Sequence, residues 1–146
     1  MIHLQNTKVV RIYPRSVATN ATASVTCDTL GFSHALVIVN GGVASSNMTT
    51  LTLSDGEASN SFTAISTFTG GTATSTSVGF VIPTADTTNG VSVEMSVDLK
   101  KRGRYLKLSC ENTSVAHVIG AEIILSRAAI APDDTTERNV NVYVAG

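Results

Sequence analysis

Alternation of apolar and polar residues dominates this chain. Its clearest instance runs from Val91 to Leu99, where Val91, Val93, Met95, Val97 and Leu99 alternate with Ser92, Glu94, Ser96 and Asp98. A period of two over nine residues is the mark of a strand with one buried face. Ala23 to Thr29 repeats the pattern, with Val25 and Cys27 set against Ser24, Thr26 and Asp28. His34 to Val39 (HALVIV) is almost continuously apolar and predicts a central strand covered on both sides. Further strands are predicted over Thr49–Ser54, Phe62–Phe68 (where Ile65 breaks the register), Val78–Ile82, Tyr105–Cys110 and Val118–Ser126.

Turn residues punctuate these runs at Leu30-Gly31, Asn40-Gly41-Gly42, Asp55-Gly56, Gly70-Gly71 and Pro83 to Gly90. No long stretch carries apolar residues at helical spacing, so the expected fold is all-β. Eight short strands between residues 23 and 126 predict an antiparallel β-sandwich, jelly-roll-like in arrangement.

Two strand-like segments fall outside that unit. Lys8 to Tyr13 (KVVRIY) is stopped by Pro14, and Val140, Val142 and Val144 alternate at the other end. Residues 128–136, with Pro132, Asp133 and Asp134, read as a linker. The expected organisation is an N-terminal arm (1–22), a sandwich body (23–127), and a linker with a terminal strand (128–146). A strand that finds no partner in the body must pack on a sheet edge or pair with another chain, because its backbone groups need partners.

Composition supports the β reading: of 146 residues, 20 are Thr and 16 are Ser. Thr packs well on a pleated surface, and Ser favours turns. Charged residues make up only 14%, so the surface must be largely uncharged and polar. A net charge of −1 does not fit a general affinity for nucleic acid or an anionic membrane surface. The N-terminus MIHLQNTKVV lacks a signal-peptide pattern, and the chain is expected to mature in the cytoplasm where it is made. Cys27 and Cys110 are then expected as reduced core residues.

Candidate chemistry is sparse. His3, His34 and His117 have no zinc-like spacing, and His117 reads as part of a polar loop. No nucleophile elbow, phosphate loop or dinucleotide fingerprint is present, so neither a metal nor a cofactor is expected. Asp28, Asp55, Glu94, Asp98 and Glu122 could converge in space as glycosidase carboxylates do, although alternation puts Glu94 and Asp98 on a solvent face. The expectation is a protein that is not an enzyme.

The densest charge lies in Lys100, Lys101, Arg102 and Arg104, which with Lys107 hold five of the ten basic residues. Such a turn either keeps a hairpin tip soluble or docks on an acidic surface. Basic and aromatic residues of the N-terminal segment, Lys8, Arg11, Tyr13 and Arg15, and the terminal Val140, Val142 and Val144 complete the candidate contact set.

Four segments taken in order carry a resemblance: DTLGFSHALVIV (28–39), LTLSDGEASNSFTAISTFTGG (51–71), VDLKKRGRYLKLSCE (97–111) and IILSRAAIAP (123–132). Together they resemble small jelly-roll-like capsid decoration, or cement, proteins of tailed bacteriophages. The likeness spans residues 19 to 132 and leaves the strand at 139–144 outside it. It implies a structural protein of the virion that binds the major capsid protein on the outer shell as a homo-oligomer, commonly a trimer, without nucleic acid or membrane. The alternatives are a phage tail or head-completion component, or a carbohydrate- or receptor-binding sandwich. With no Trp and 5% aromatic residues, the chain is poorly equipped to stack on sugar rings.

Overall fold

The computed structural model describes residues 7–43, 48–73, 76–85, 88–112, 116–126 and 142–145. Among the described residues ten strands form two sheets: β1 (Lys8–Val17), β2 (Ala21–Asp28), β3 (His34–Gly41), β4 (Thr50–Ala58), β5 (Ser61–Gly71), β6 (Phe80–Val81), β7 (Val91–Asp98), β8 (Tyr105–Asn112), β9 (His117–Ser126) and β10 (Val142–Ala145). The first sheet has the order β1-β9-β3-β7-β10, and the second β2-β8-β4-β5-β6.

Without the short edge strands β6 and β10, these orders are 1-9-3-7 and 2-8-4-5. Each sheet takes alternate strands from the two ends of the chain, which is the double Greek key of a jelly roll. All pairings inside the roll are antiparallel, and β6 and β10 add in parallel at one edge of each sheet. The eight strands predicted between residues 23 and 126 correspond in order to β2 through β9. The roll, however, counts β1 among its eight and β6 as an addition.

The segment read as an N-terminal arm is thus, from Lys8 to Val17, the edge strand of the first sheet, paired with β9. Pro14 does not stop it. The register shifts between Ile12 and Arg15, so the proline sits in a bulge on an edge strand, where its missing N–H costs no ladder bond.

A bulge also corrects the reading of Asp55-Gly56. The chain turns at Ser59-Asn60, whereas Asp55 to Ala58 form a register shift inside the β4–β5 hairpin. A second shift, opposite Thr52 and Ser54, inserts extra residues into β5 between Ala64 and Thr69. That insertion turns both Ile65 and Phe68 into the core, three positions apart, and explains the broken alternation. The Thr69 hydroxyl donates to the Ile65 carbonyl at 3.0 Å and ties the bulge together.

Between the sheets lies one apolar core. Ala35, Val37 and Val39 of β3, Met95 and Val97 of β7 and Ile119, Ile123 and Leu125 of β9 meet Leu51, Leu53, Phe68, Leu106, Leu108 and Cys110 of the second sheet. Cys27 and Cys110 are free, buried thiols. Burial in an apolar core raises them to about 11 and about 12 respectively.

Candidate functional site

The two outward faces of the sandwich differ in chemistry, and register shows how. On the second sheet three rows run across β2, β8 and β4: Thr22–Glu111–Thr50, Ser24–Ser109–Thr52 and Thr26–Lys107–Ser54. Every position there is hydroxyl-bearing or charged, which accounts for much of the Thr and Ser in the composition.

The corresponding rows of the first sheet, across β1, β9, β3 and β7, are different. One reads Val9–Ile124–Leu36–Ser96, and the next Arg11–Glu122–Ile38–Glu94. A third places Gly120–Asn40–Ser92 beneath Pro14, whose ring would lie 3.0 Å from any Cβ at Gly120. Leu36, Ile38 and Ile124 are half-buried, and Val9 and Val118 are exposed. Their neighbours in sequence point into the core, so these side chains belong to a second, outward apolar surface.

Beside the bulge in β1, this surface dips into an open groove of about 290 Å³. Tyr13, Pro14, Gly41, Gly42, Val118 and Gly120 are among the residues that line it. Tyr13 is 75% exposed, although large aromatics usually bury most of their surface. At Gly42 a Cβ would meet Val118 at 3.3 Å, whereas one at Gly41 would point inward, 3.0 Å from the buried His117 ring.

Two polar contacts fix this region. Arg11 Nε donates to Glu122 Oε1 at 2.6 Å, an exposed cross-strand pair at the groove's end. His117 is buried at the start of β9, with Nε2 2.7 Å from the Gly42 carbonyl oxygen. It therefore belongs to a strand and not to the polar loop expected from sequence.

Glu94 also departs from expectation. Alternation does put it on the outward face of β7, yet it is only 5% exposed. Of the five carboxylates that could have converged, Glu94 and Glu122 share a face, flanking Ile38 from opposite sides with two strand spacings, roughly 10 Å, between their backbones. Glu122 is tied to Arg11. Asp28, Asp55 and Asp98 lie elsewhere and hold loops: Asp28 Oδ1 accepts from Leu30 N, Asp55 Oδ2 from Gly103 N and Asp98 Oδ1 from Lys100 N. Among the described residues no group of three or more His, Cys, Asp or Glu is placed to hold a metal ion.

The basic turn resolves into separate parts. Arg104 grips Asp28 with two bonds, Nε to Oδ1 at 3.0 Å and Nη2 to Oδ2 at 2.7 Å, and lies over the Tyr105 ring. The Arg104 guanidinium holds the Asp28 carboxyl down to about 2, and Asp28 in turn raises Arg104. Arg102 lies 5.9 Å over Phe68, and Lys107 5.6 Å over Phe62. Lys100 and Lys101 remain exposed on a single 3-10 turn, Leu99–Lys101. Most of the turn's charge therefore organises the hairpin.

The N-terminal candidates line the β1 edge. Lys8 Nζ donates to the Asp28 carbonyl at 3.2 Å, bridging the two sheets, and Arg15 is exposed on the bulge. At the other edge, Val144 packs against the core. Val142 pairs with Val93 through its backbone, and Val140 lies outside the described residues. Sequence reasoning missed Val9, Leu36, Ile38, Val118 and Ile124, because an apolar run in a central strand reads as buried on both faces. The mix of these residues with Ser92, Ser96 and Glu122 across the register was the only available signal.

No protein-family model matches the chain, and a search of curated proteins finds no match.

Proposed function

We propose that this chain is a non-enzymatic structural protein that decorates the outer shell of a phage capsid, docking as a homo-oligomer, with a trimer favoured, through the outward face of its first sheet. The observation that carries the reading is the contrast between the two outer faces. One presents hydroxyls and charges on β2, β8 and β4, and the other presents Val9, Leu36, Ile38, Ile124, Val118 and the exposed Tyr13 beside an open groove. Covering apolar surface stabilises a complex by roughly 25 cal/mol per Å², which gives a partner surface reason to choose one face.

The capsid as partner rests on the resemblance of the four segments named above. A shell offers the same contact many times over, so modest single-site affinity is compensated when linked copies bind together. Arg11 and Glu122 at the groove's end supply polar contacts that fix orientation, as rim charges do at interfaces.

The test is co-sedimentation with phage heads stripped of this protein. Ile38→Lys should weaken binding at least tenfold, and Ser24→Lys, the same change on the other face, should leave it unaltered. Binding lost with Ser24→Lys but kept with Ile38→Lys would overturn the choice of face. Failure of the unaltered chain to bind heads would overturn the function.

A further inference from the structure

Among the described residues the two sheets end in four edge strands, and three of these are short or interrupted. β6 has two residues and β10 four, and β1 is broken by Pro14 and its bulge. β2 (ATASVTCD) is the fourth. It runs beside β8 for eight residues without a register shift, holds neither proline nor glycine, and has no described strand on its other side. A long, regular edge of this kind is a template for pairing with another chain.

The phase of the β2–β8 ladder shows which groups that edge presents. Thr29 N donates to the Arg104 carbonyl at 2.9 Å and continues the β2–β8 register, so the alternation of an antiparallel pair turns the backbone groups of the odd-numbered residues toward β8. The N–H and C=O of Thr22, Ser24 and Thr26 then face the other way. Lys8 Nζ, reaching from β1 to the Asp28 carbonyl at 3.2 Å, marks the same phase and closes the last even-numbered position. No described residue bonds the edge groups of Thr22, Ser24 and Thr26. All three residues are exposed, and Val25, which alternation turns inward, is only half-buried, so the margin of the sandwich is open beside them.

This row of groups is symmetric about Ser24, and a symmetric edge fits a second copy of itself. Laid antiparallel with Ser24 opposite Ser24, two β2 strands also set Thr22 opposite Thr26 and Thr26 opposite Thr22. Three pairs with two bonds in each then satisfy every edge N–H and C=O of these residues in both copies. The faces match too: hydroxyls meet hydroxyls on the outer side, and on the inner side the half-buried Val25 meets Ala23 of the second copy. Asp28 is the one charged residue of β2 and lies at its end, so the two carboxylates stand at opposite ends of the pair. The two-fold axis relating two such strands is perpendicular to the sheet. Both first sheets therefore lie on the same side, and both docking faces point the same way.

We propose that the β2 edge is a contact between copies, in which two chains pair antiparallel about Ser24 and their second sheets join into one. The contact is isologous and holds two copies and no more, so it does not build a three-fold ring but links one ring to the next. It goes beyond the docking proposed above and does not require the capsid.

Cysteine pairs in the full chain test it. Opposed residues of the new ladder lie about 5.5 Å apart at Cα, a spacing that a disulfide bridges. Folded protein is oxidised, then unfolded in an alkylating reagent so that the native thiols cannot exchange, and covalent dimers are measured without reductant. Ser24→Cys should link to itself, and Thr22→Cys should link to Thr26→Cys in a mixture but not to itself. Thr52→Cys, on the same face but two strands in from the edge, sets the background. Ser24→Pro removes an edge N–H without touching the β8 ladder, and it should bring the Thr22→Cys and Thr26→Cys mixture down to that background while circular dichroism shows the fold retained. Ser24→Cys linking no more than Thr52→Cys would overturn the proposal. So would a Thr22→Cys and Thr26→Cys yield unchanged by Ser24→Pro, or a Ser24→Cys chain that on phage heads links to capsid protein in place of its own kind. Head binding by the unaltered chain is read separately, so either idea can fail alone.

Discussion

Placing the same lysine at two adjacent positions of β3 separates the two surfaces of the first sheet. Val37 is fully buried between the sheets, and Ile38 is half-buried on the outward face. At Val37 an ammonium would lose its hydration among Met95, Ile123 and Leu108, at a cost of several kcal/mol, a large part of the roughly 5–15 kcal/mol that holds a domain together. Val37→Lys should therefore fail to fold at physiological temperature.

At Ile38 the lysine stem can lie along the sheet with its charge in water, flanked by its cross-strand neighbours Glu94 and Glu122. The loss is the apolar contact of one half-buried side chain, about 1–2 kcal/mol. At about 2–4 °C per kcal/mol for a domain near this size, Ile38→Lys should lower Tm by about 2–8 °C. Thermal unfolding followed by circular dichroism measures both variants. If Ile38→Lys were as disruptive as Val37→Lys, the outward face would be interior to the free chain, and the docking surface would not exist.

Two further outcomes follow from the titrating groups. The Asp28 carboxyl is held at about 2, below its value in an unfolded chain, so the Asp28–Arg104 pair favours the folded state above about pH 4, and that contribution disappears as pH falls through 2. The Tm difference between the unaltered chain and Asp28→Asn should be constant above pH 5 and shrink between pH 4 and 2; a difference independent of pH over that range would refute the pairing. Cys27 and Cys110, raised to about 11 and about 12 by burial, should resist a thiol reagent at pH 8 and react completely once the chain is unfolded in guanidinium. Rapid labelling of the folded protein would contradict their place in the core.

Much of the fold is legible because alternation reports local geometry. The five-residue stripe from Val91 to Leu99 defines β7, and the Val25/Cys27 alternation defines β2, since a strand's two faces are written into neighbouring residues. What alternation cannot report is which distant strand lies alongside. β1 reads as an arm until β9 is seen beside it, and Pro14 reads as a stop until the bulge shows that the chain continues. His117 is polar by type but opens a strand because Gly42 offers it a carbonyl and Gly41 leaves space for its ring.

The candidate site was less legible than the fold for the same reason. Leu36 and Ile38 share an apolar run with Ala35, Val37 and Val39, and only the position of the second sheet distinguishes the inward set from the outward one. The basic turn illustrates the reverse error. Lys100 to Arg104 look like one patch in sequence, but Asp28, Phe68 and Tyr105, all distant along the chain or turned toward it by folding, engage the two arginines separately.

The central claim, that the outward face of the first sheet docks this protein on a capsid shell, is tested most directly by electron cryomicroscopy of intact heads at a resolution that separates strands. The account expects jelly-roll density on the outer shell with Leu36, Ile38 and Ile124 turned toward the capsid protein or a sister copy, and Ser24, Thr26 and Lys107 turned toward solvent. Density with the hydroxyl-rich face inward, or no such density on the shell, would contradict it.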